Sequence, residues 1–116
     1  MEKIFYNIDE YFEYLKKHGV GEVFYRVTYK KVGHFDVDIF VYCSTIVDDG
    51  IVSLLTLYKQ IRSSDVSKHN GNAFDVLAQF IKEYVTKAEE WIKQELRNAG
   101  FTAFAGVCME KPFIRV

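Results

Sequence analysis

The residues able to do chemistry in this chain are few, and they fall into two sets. Asp36 and Asp38 stand two apart in an alternating segment, and Lys59 lies in the apolar segment that follows. Carboxylates on one strand beside a lysine on the next can hold a divalent cation and position a water for attack. The second set is Lys68, His69, Gly71 and Asn72, in a polar stretch just ahead of a helical pattern. The free N–H groups of a helix N-terminus fed by such a loop can receive a phosphate or carboxylate. No GxxxxGK[ST] or GxGxxG run accompanies them, so a solvated loop ending in a helix cap is the simpler account. His18, His34 and His69 fall on three separate elements, and no serine or cysteine sits in a nucleophile motif. Cys43 and Cys108 are the only cysteines, with no CxxC and no Cys/His cluster. That spacing suggests neither a zinc site nor a redox motif, and two reduced, buried thiols are expected. No metal and no cofactor is implied.

The elements that must position these residues are legible from periodicity. Asn7 caps a first helix over 8–18, with Glu10 three residues on and Gly19 at the stop. Ile8, Tyr11, Phe12 and Leu15 give it one apolar face, and Lys16, Lys17 and His18 complement its dipole. Residues 22–30 alternate as a strand, with Val23, Tyr25, Val27 and Tyr29 on one side. Residues 35–47 form a second, with Phe35, Val37, Ile39, Val41 and Cys43 on one face and Asp36, Asp38, Phe40 and Tyr42 on the other. Asp48-Asp49-Gly50 is a hairpin signal. With Asp49-Gly50 as the two-residue loop, Val47 pairs with Val52, Val41 with Tyr58 and Phe40 with Lys59. Residues 51–62 then become a third strand, although Ile51, Leu54, Leu55, Tyr58 and Ile61 also match a helical stripe. The strand is favoured. After a polar loop at 63–72, Ala73 to Ala99 is the strongest helix, capped by Asn72 and stopped by Gly100. At 1.5 Å per residue it runs about 40 Å, so one end is expected to overhang the sheet. Phe101 to Met109 reads as a final strand and Pro112 to Val116 as an edge piece.

The chain is thus a single α+β domain over 1–116, of order α-β-β-β-α-β. The expected sheet is an antiparallel meander packed by the long helix of the C-terminal half. This order resembles the common core of the restriction-endonuclease-like nucleases. The resemblance implies that Asp38, with Asp36 beside it, and Lys59 mark a degenerate metal site. The acidic residue of that family's pattern is missing, because Leu57 stands two before Lys59. A cross-strand Asp38–Lys59 ion pair is the plainer expectation. A looser likeness to double-stranded RNA-binding domains rests on Gly33-His34-Phe35. It lacks that family's lysine cluster, because Asn72-Ala73-Phe74-Asp75 opens the last helix.

Composition narrows the classes further. Fifteen basic against sixteen acidic residues give a formal net charge of -1, which disfavours a generic nucleic-acid binder. The N-terminal MEKIFYNIDEYF carries charges throughout and has no apolar leader core, and no apolar run approaches a membrane span. A cytoplasmic protein without membrane association is expected. Ten Phe and eight Tyr exceed what one small core needs, so some should line an interface or pocket. Tyr84, Trp91 and Ile92 on the long helix are candidate interface anchors. Both faces of the central hairpin are apolar; the long helix covers one, and the other needs the first helix or a second subunit. The reading these features favour is a small, non-enzymatic interaction or regulatory module that forms a homodimer and has a protein partner. A nucleic-acid-associated protein on the nuclease-like core is the alternative, and a binder of small anionic ligands is the next.

Overall fold

Asn7 starts the first helix as its chemistry dictates. Its Oδ1 accepts the Glu10 N–H at 3.0 Å, satisfying a donor the helix cannot pair internally. The chain then ends that helix at Gly19, whose φ of +69° suits a residue without a β-carbon. The computed structural model describes residues 2–106. Cys108, the expected continuation of the last strand to Met109 and the expected edge piece from Pro112 to Val116 lie outside the described residues.

In chain order the elements are β1 (Glu2–Phe5), α1 (Ile8–Lys17), β2 (Glu22–Lys31), β3 (Val37–Val47), β4 (Gly50–Ile61), α2 (Ser63–Ser67), α3 (Ala73–Asn98) and β5 (Thr102–Ala105). They build one five-stranded sheet of order β1-β4-β3-β2-β5. The α+β class stands, and residues 50–61 are a strand. The antiparallel meander is corrected: β1 runs parallel to β4 and β5 runs parallel to β2, so the sheet is mixed. β1 lies ahead of the expected order. Its four residues are too few for alternation to show.

The hairpin loop is Asp48-Asp49, with φ of 49° and 64°, and Val47 pairs with Gly50. Both positive angles fit the tight turn whose twist matches the flanking strands. Thr45 therefore faces Val52, Val41 faces Thr56 and Phe40 faces Leu57, displaced by two from the expected register. A shift of two keeps every side chain on its face. Between Ile39 and Phe40 the register slips again, and Ile39 pairs with Lys59. Tyr58 is the extra residue of this β-bulge.

Both long helices pack on the same side of the sheet. Tyr11 and Leu15 of α1, Leu77, Ala88, Ile92 and Leu96 of α3, and Val23, Ile39, Val41, Cys43, Val52 and Leu54 of the strands form one buried cluster. Phe12 meets Phe101 across the seam at 5.3 Å. The expected overhang of α3 is offset by long strands: β3 has 11 residues and β4 has 12. At about 3.4 Å per residue, β4 matches the helix in length. The first turn of α3 is met by the β2–β3 connection, where the Phe35 and Phe74 rings are 5.2 Å apart.

Asn72 caps α3 through Oδ1, which accepts the N–H groups of Phe74 at 2.9 Å and Asp75 at 3.3 Å. Asn72→Ala should therefore lower unfolding free energy by about 1 kcal/mol in urea, and Asn72→Asp should keep most of it.

Candidate functional site

The β4 bulge decides where the chemistry-bearing residues go. A bulge places two successive residues against one and re-aims a side chain. Tyr58 packs on Trp91 of α3 at 5.5 Å, and Lys59 lies 5.0 Å over the ring of Tyr84, also on α3. Both therefore point to the helical side. Asp38, paired with Gln60 in the sheet, lies on the other side. The expected Asp38–Lys59 pair does not form, because the bulge turns Lys59 away.

Asp36 and Asp38 instead fix the end of β4 to α2. Asp36 Oδ1 accepts the Ser63 N–H at 2.8 Å, and its carboxylate lies so close to Gly33 that a β-carbon there would sit 2.5 Å from Oδ2. Asp38 Oδ1 receives Arg62 Nη1 at 3.0 Å, with Asp38 largely buried and Arg62 more open. Asp65 Oδ2 accepts the Arg62 N–H at 2.9 Å. The expected loop at 63–72 thus begins with a one-turn helix, whose first two N–H groups are taken by the Asp36 and Asp65 carboxylates while Asp38 holds the Arg62 side chain. Among the described residues no group of three or more His, Cys, Asp or Glu side chains is placed to hold a metal.

The residues left over assemble around a cavity of about 210 Å³ between β4, α2 and α3. Lys59, Lys68 and His69 line it together, with Ile61, Phe80 and Tyr84 as its apolar walls and Asp65 as the single acid among the described lining residues. Sequence reasoning placed Lys59 in one lead and Lys68 with His69 in another; the fold brings them to one cavity. Gly71 and Asn72 do not line it. Gly71 adopts φ +113° in the turn before α3, and Asn72 is spent on its cap. Phe80 and Asp65 carried no distinguishing signal, since one belongs to an apolar helical stripe and the other to a polar loop. Tyr84 lines the cavity, Trp91 packs on Tyr58, and Ile92 is fully buried in the core, leaving no surface for a partner.

The outer face of the sheet, away from both long helices, is the second unusual surface. Cross-strand rows on it read Phe104–Phe24–Ser44–Ser53–Ile4 and Ile46–Ile51, then Tyr42–Leu55 and Phe40–Leu57. Ile46 is 59% exposed and Leu57 45%, whereas Tyr42, Ser44 and Ser53 in the middle of these rows are buried. At its centre the Tyr42 hydroxyl lies 3.4 Å from Ser53 Oγ, and Arg26 stands over the Tyr42 ring at 5.7 Å. On the inner face Cys43 is completely buried, and burial pushes its thiol far above the usual range. A thiol held protonated there is no nucleophile.

Comparison with protein-family models, with curated proteins and with solved structures finds no match. No helix among the described residues is long and apolar enough to cross a membrane.

A double-mutant cycle on Asp38→Asn and Arg62→Gln should yield a coupling of about 1 kcal/mol that shrinks in high salt. The matching cycle on Asp38→Asn and Lys59→Gln should yield none. In a Cys108→Ser background, Cys43 should stay silent to a thiol reagent until denaturant unfolds the chain.

Proposed function

We propose that the protein is a small, non-enzymatic interaction module that self-associates by packing its outer sheet face against the same face of a second copy. The observation that supports this reading is the placement of α1 and α3 on one side. The side left over carries Ile4, Ile46, Leu57 and Phe104 exposed, with Phe24, Phe40, Ile51 and Leu55 half-buried among them. At the middle of this face Tyr42 and Ser44 are completely buried and Ser53 nearly so, and the exposed apolar side chains stand around that closed centre. Several exposed apolar side chains on one face mark an interaction surface, and two sheet faces stack at about 10 Å with their side chains interdigitated.

Face-to-face association also suits the edges. β1 and β5 have four residues each, and short edge strands are poor templates for pairing with another chain. Beyond β1, the open stretch of β4 carries the bulge and Lys59, two features that discourage edge pairing. The polar ends of the outer face, with Lys30, Asp38 and Gln60 in one row, fit the wetter rim of such an interface. A two-fold arrangement would place Leu57 and Ile46 of both copies within the buried patch.

The alternative of a nucleic-acid-associated protein draws less from the geometry. It needs Asp36, Asp38 and Lys59 at one place, whereas the two carboxylates serve α2 and the lysine lies behind the sheet.

Sedimentation velocity over a concentration series should show a dimer for the native chain. Leu57→Lys and Ile46→Lys should each weaken association by roughly a hundredfold or more, since each removes two buried apolar side chains worth about 1.5–3 kcal/mol apiece. Their circular dichroism and stability as monomers should be unchanged. A native chain that sediments as a monomer at every concentration sinks this reading.

A further inference from the structure

We infer that the cavity between β4, α2 and α3 is a binding site for a small phosphate monoester, a role independent of the outer face. Its rim is cationic and its interior is aromatic. Lys59 comes from the bulge, Lys68 from the end of α2 and His69 from the turn that follows, so three elements deliver cationic or protonatable groups to one opening. No ion pair to Lys59 or Lys68 occurs among the described residues. Asp65, the one acid among the described lining residues, accepts the Arg62 N–H through Oδ2.

The Tyr84 ring makes the positive bias sharper. Lys59 Nζ lies 5.0 Å and Lys87 Nζ 5.4 Å from its centroid. The negative π face attracts both ammonium groups, but they repel each other and, among the described residues, only Lys87 has a carboxylate, Glu83 at 3.3 Å. An anion beside Lys59 relieves that repulsion. His69 Nδ1 lies 3.1 Å from the Asp65 carbonyl oxygen. A carbonyl only accepts, so Nδ1 carries the proton and Nε2 is left for another partner. The His69 ring stands edge-on to Phe80 at 4.9 Å, and Phe80 stacks near Tyr84 at 6.2 Å. These contacts hold the imidazole in place before any ligand arrives.

The chemistry of the rim selects the anion. Lysine ammoniums are compact point charges that suit the three equivalent oxygens of a phosphate, whereas a carboxylate is best met by the planar fork of an arginine. No arginine stands among the described lining residues, and Arg62, just before α2, is engaged by Asp38. A volume of about 210 Å³ is below the usual range for drug-sized sites. That size suits a phosphate with a small flat body against Phe80 and Tyr84 and is too small for a dinucleotide.

Isothermal titration at low ionic strength with phenyl phosphate, inorganic phosphate and benzoate tests this. Saturable binding is expected for phenyl phosphate, weaker binding for inorganic phosphate and the weakest for benzoate. Lys59→Gln and Lys68→Gln should each cost roughly tenfold or more in affinity for both phosphates. Tyr84→Leu should remove the advantage of phenyl phosphate over phosphate. Thermal unfolding without ligand checks that each variant is folded. Leu57→Lys, on the other side of the sheet, should leave the affinity unchanged. No saturable binding of either phosphate overturns the site, as does binding that both lysine variants retain in full or that benzoate matches.

Discussion

The handedness of chain crossovers is the constraint on which the rest of this structure depends. β1, β2, β4 and β5 all point one way, and only β3 runs against them. The connection from β1 through α1 to β2 and the connection from β4 through α3 to β5 are therefore both parallel crossovers. Each moves across the sheet in the same direction, from the β1 edge toward the β5 edge. Parallel crossovers are right-handed because a right-twisted strand and helix pack back onto the sheet only that way. Two right-handed crossovers with the same strand direction and the same sideways step must lie on the same face. Every helix long enough to cover the sheet is thereby committed to one side, and the apolar outer rows follow as a topological consequence.

A single extra residue then sets the chemistry. Strict alternation along β4 would carry Lys59 to the outer face beside Asp38 and would leave Ile61 facing outward as well. The bulge at Tyr58 restores Ile61 to the core, where it is 1% exposed, and carries Lys59 inward with it. Burying an isoleucine is worth about 1.5–3 kcal/mol, more than a surface ion pair returns. The core thus wins the contest for register, and Asp38 finds Arg62, the next residue on its own side. The lysine displaced to the helical side meets Tyr84 and the end of α2.

How much of this was legible in the sequence follows from the range of each interaction. Helices were readable because their signals are local: Asn7 and Asn72 cap, Gly19 stops, and the apolar stripes repeat within a few residues. Faces of β2, β3 and most of β4 were readable because alternation survives a register shift of two. The loop position was not, since Asp48-Asp49 and Asp49-Gly50 both satisfy the turn chemistry and both registers leave Val47 and Val52 on the inner face. β1 was invisible: four residues, half of them charged, become a strand only when β4 offers its edge. Without β1 the crossover argument has no first term, so the side taken by α1 stayed open. The candidate site suffered most. Lys59, Lys68 and His69 could be named, but their convergence depends on the bulge, which has no local signature.

The surplus of aromatic residues has a physical explanation in the same layout. α1 buries only Tyr11 and Leu15 completely, so a ten-residue helix must be held by large side chains rather than many. Phe5 meets Tyr11 at 5.8 Å and Tyr14 at 5.3 Å, and Phe12 reaches Phe101; each ring buries several times the area of an alanine. A second group, Tyr58 with Trp91 and Phe80 with Tyr84, fills the wedge beside α3 that the bulge opens. A third, Phe24 stacked on Phe104 at 5.4 Å with Phe40 and Tyr42 beyond, lies on the outer face. Tyr58, Phe80, Tyr84 and Trp91 also pack against the core, and Tyr42 is itself completely buried. The second group frames a cationic cavity and the third is spread across a sheet surface that no described helix touches. The aromatic side chains beyond one core's needs thus stand beside the cavity and on the outer face, where Phe104 is exposed and Phe24 and Phe40 are half-buried.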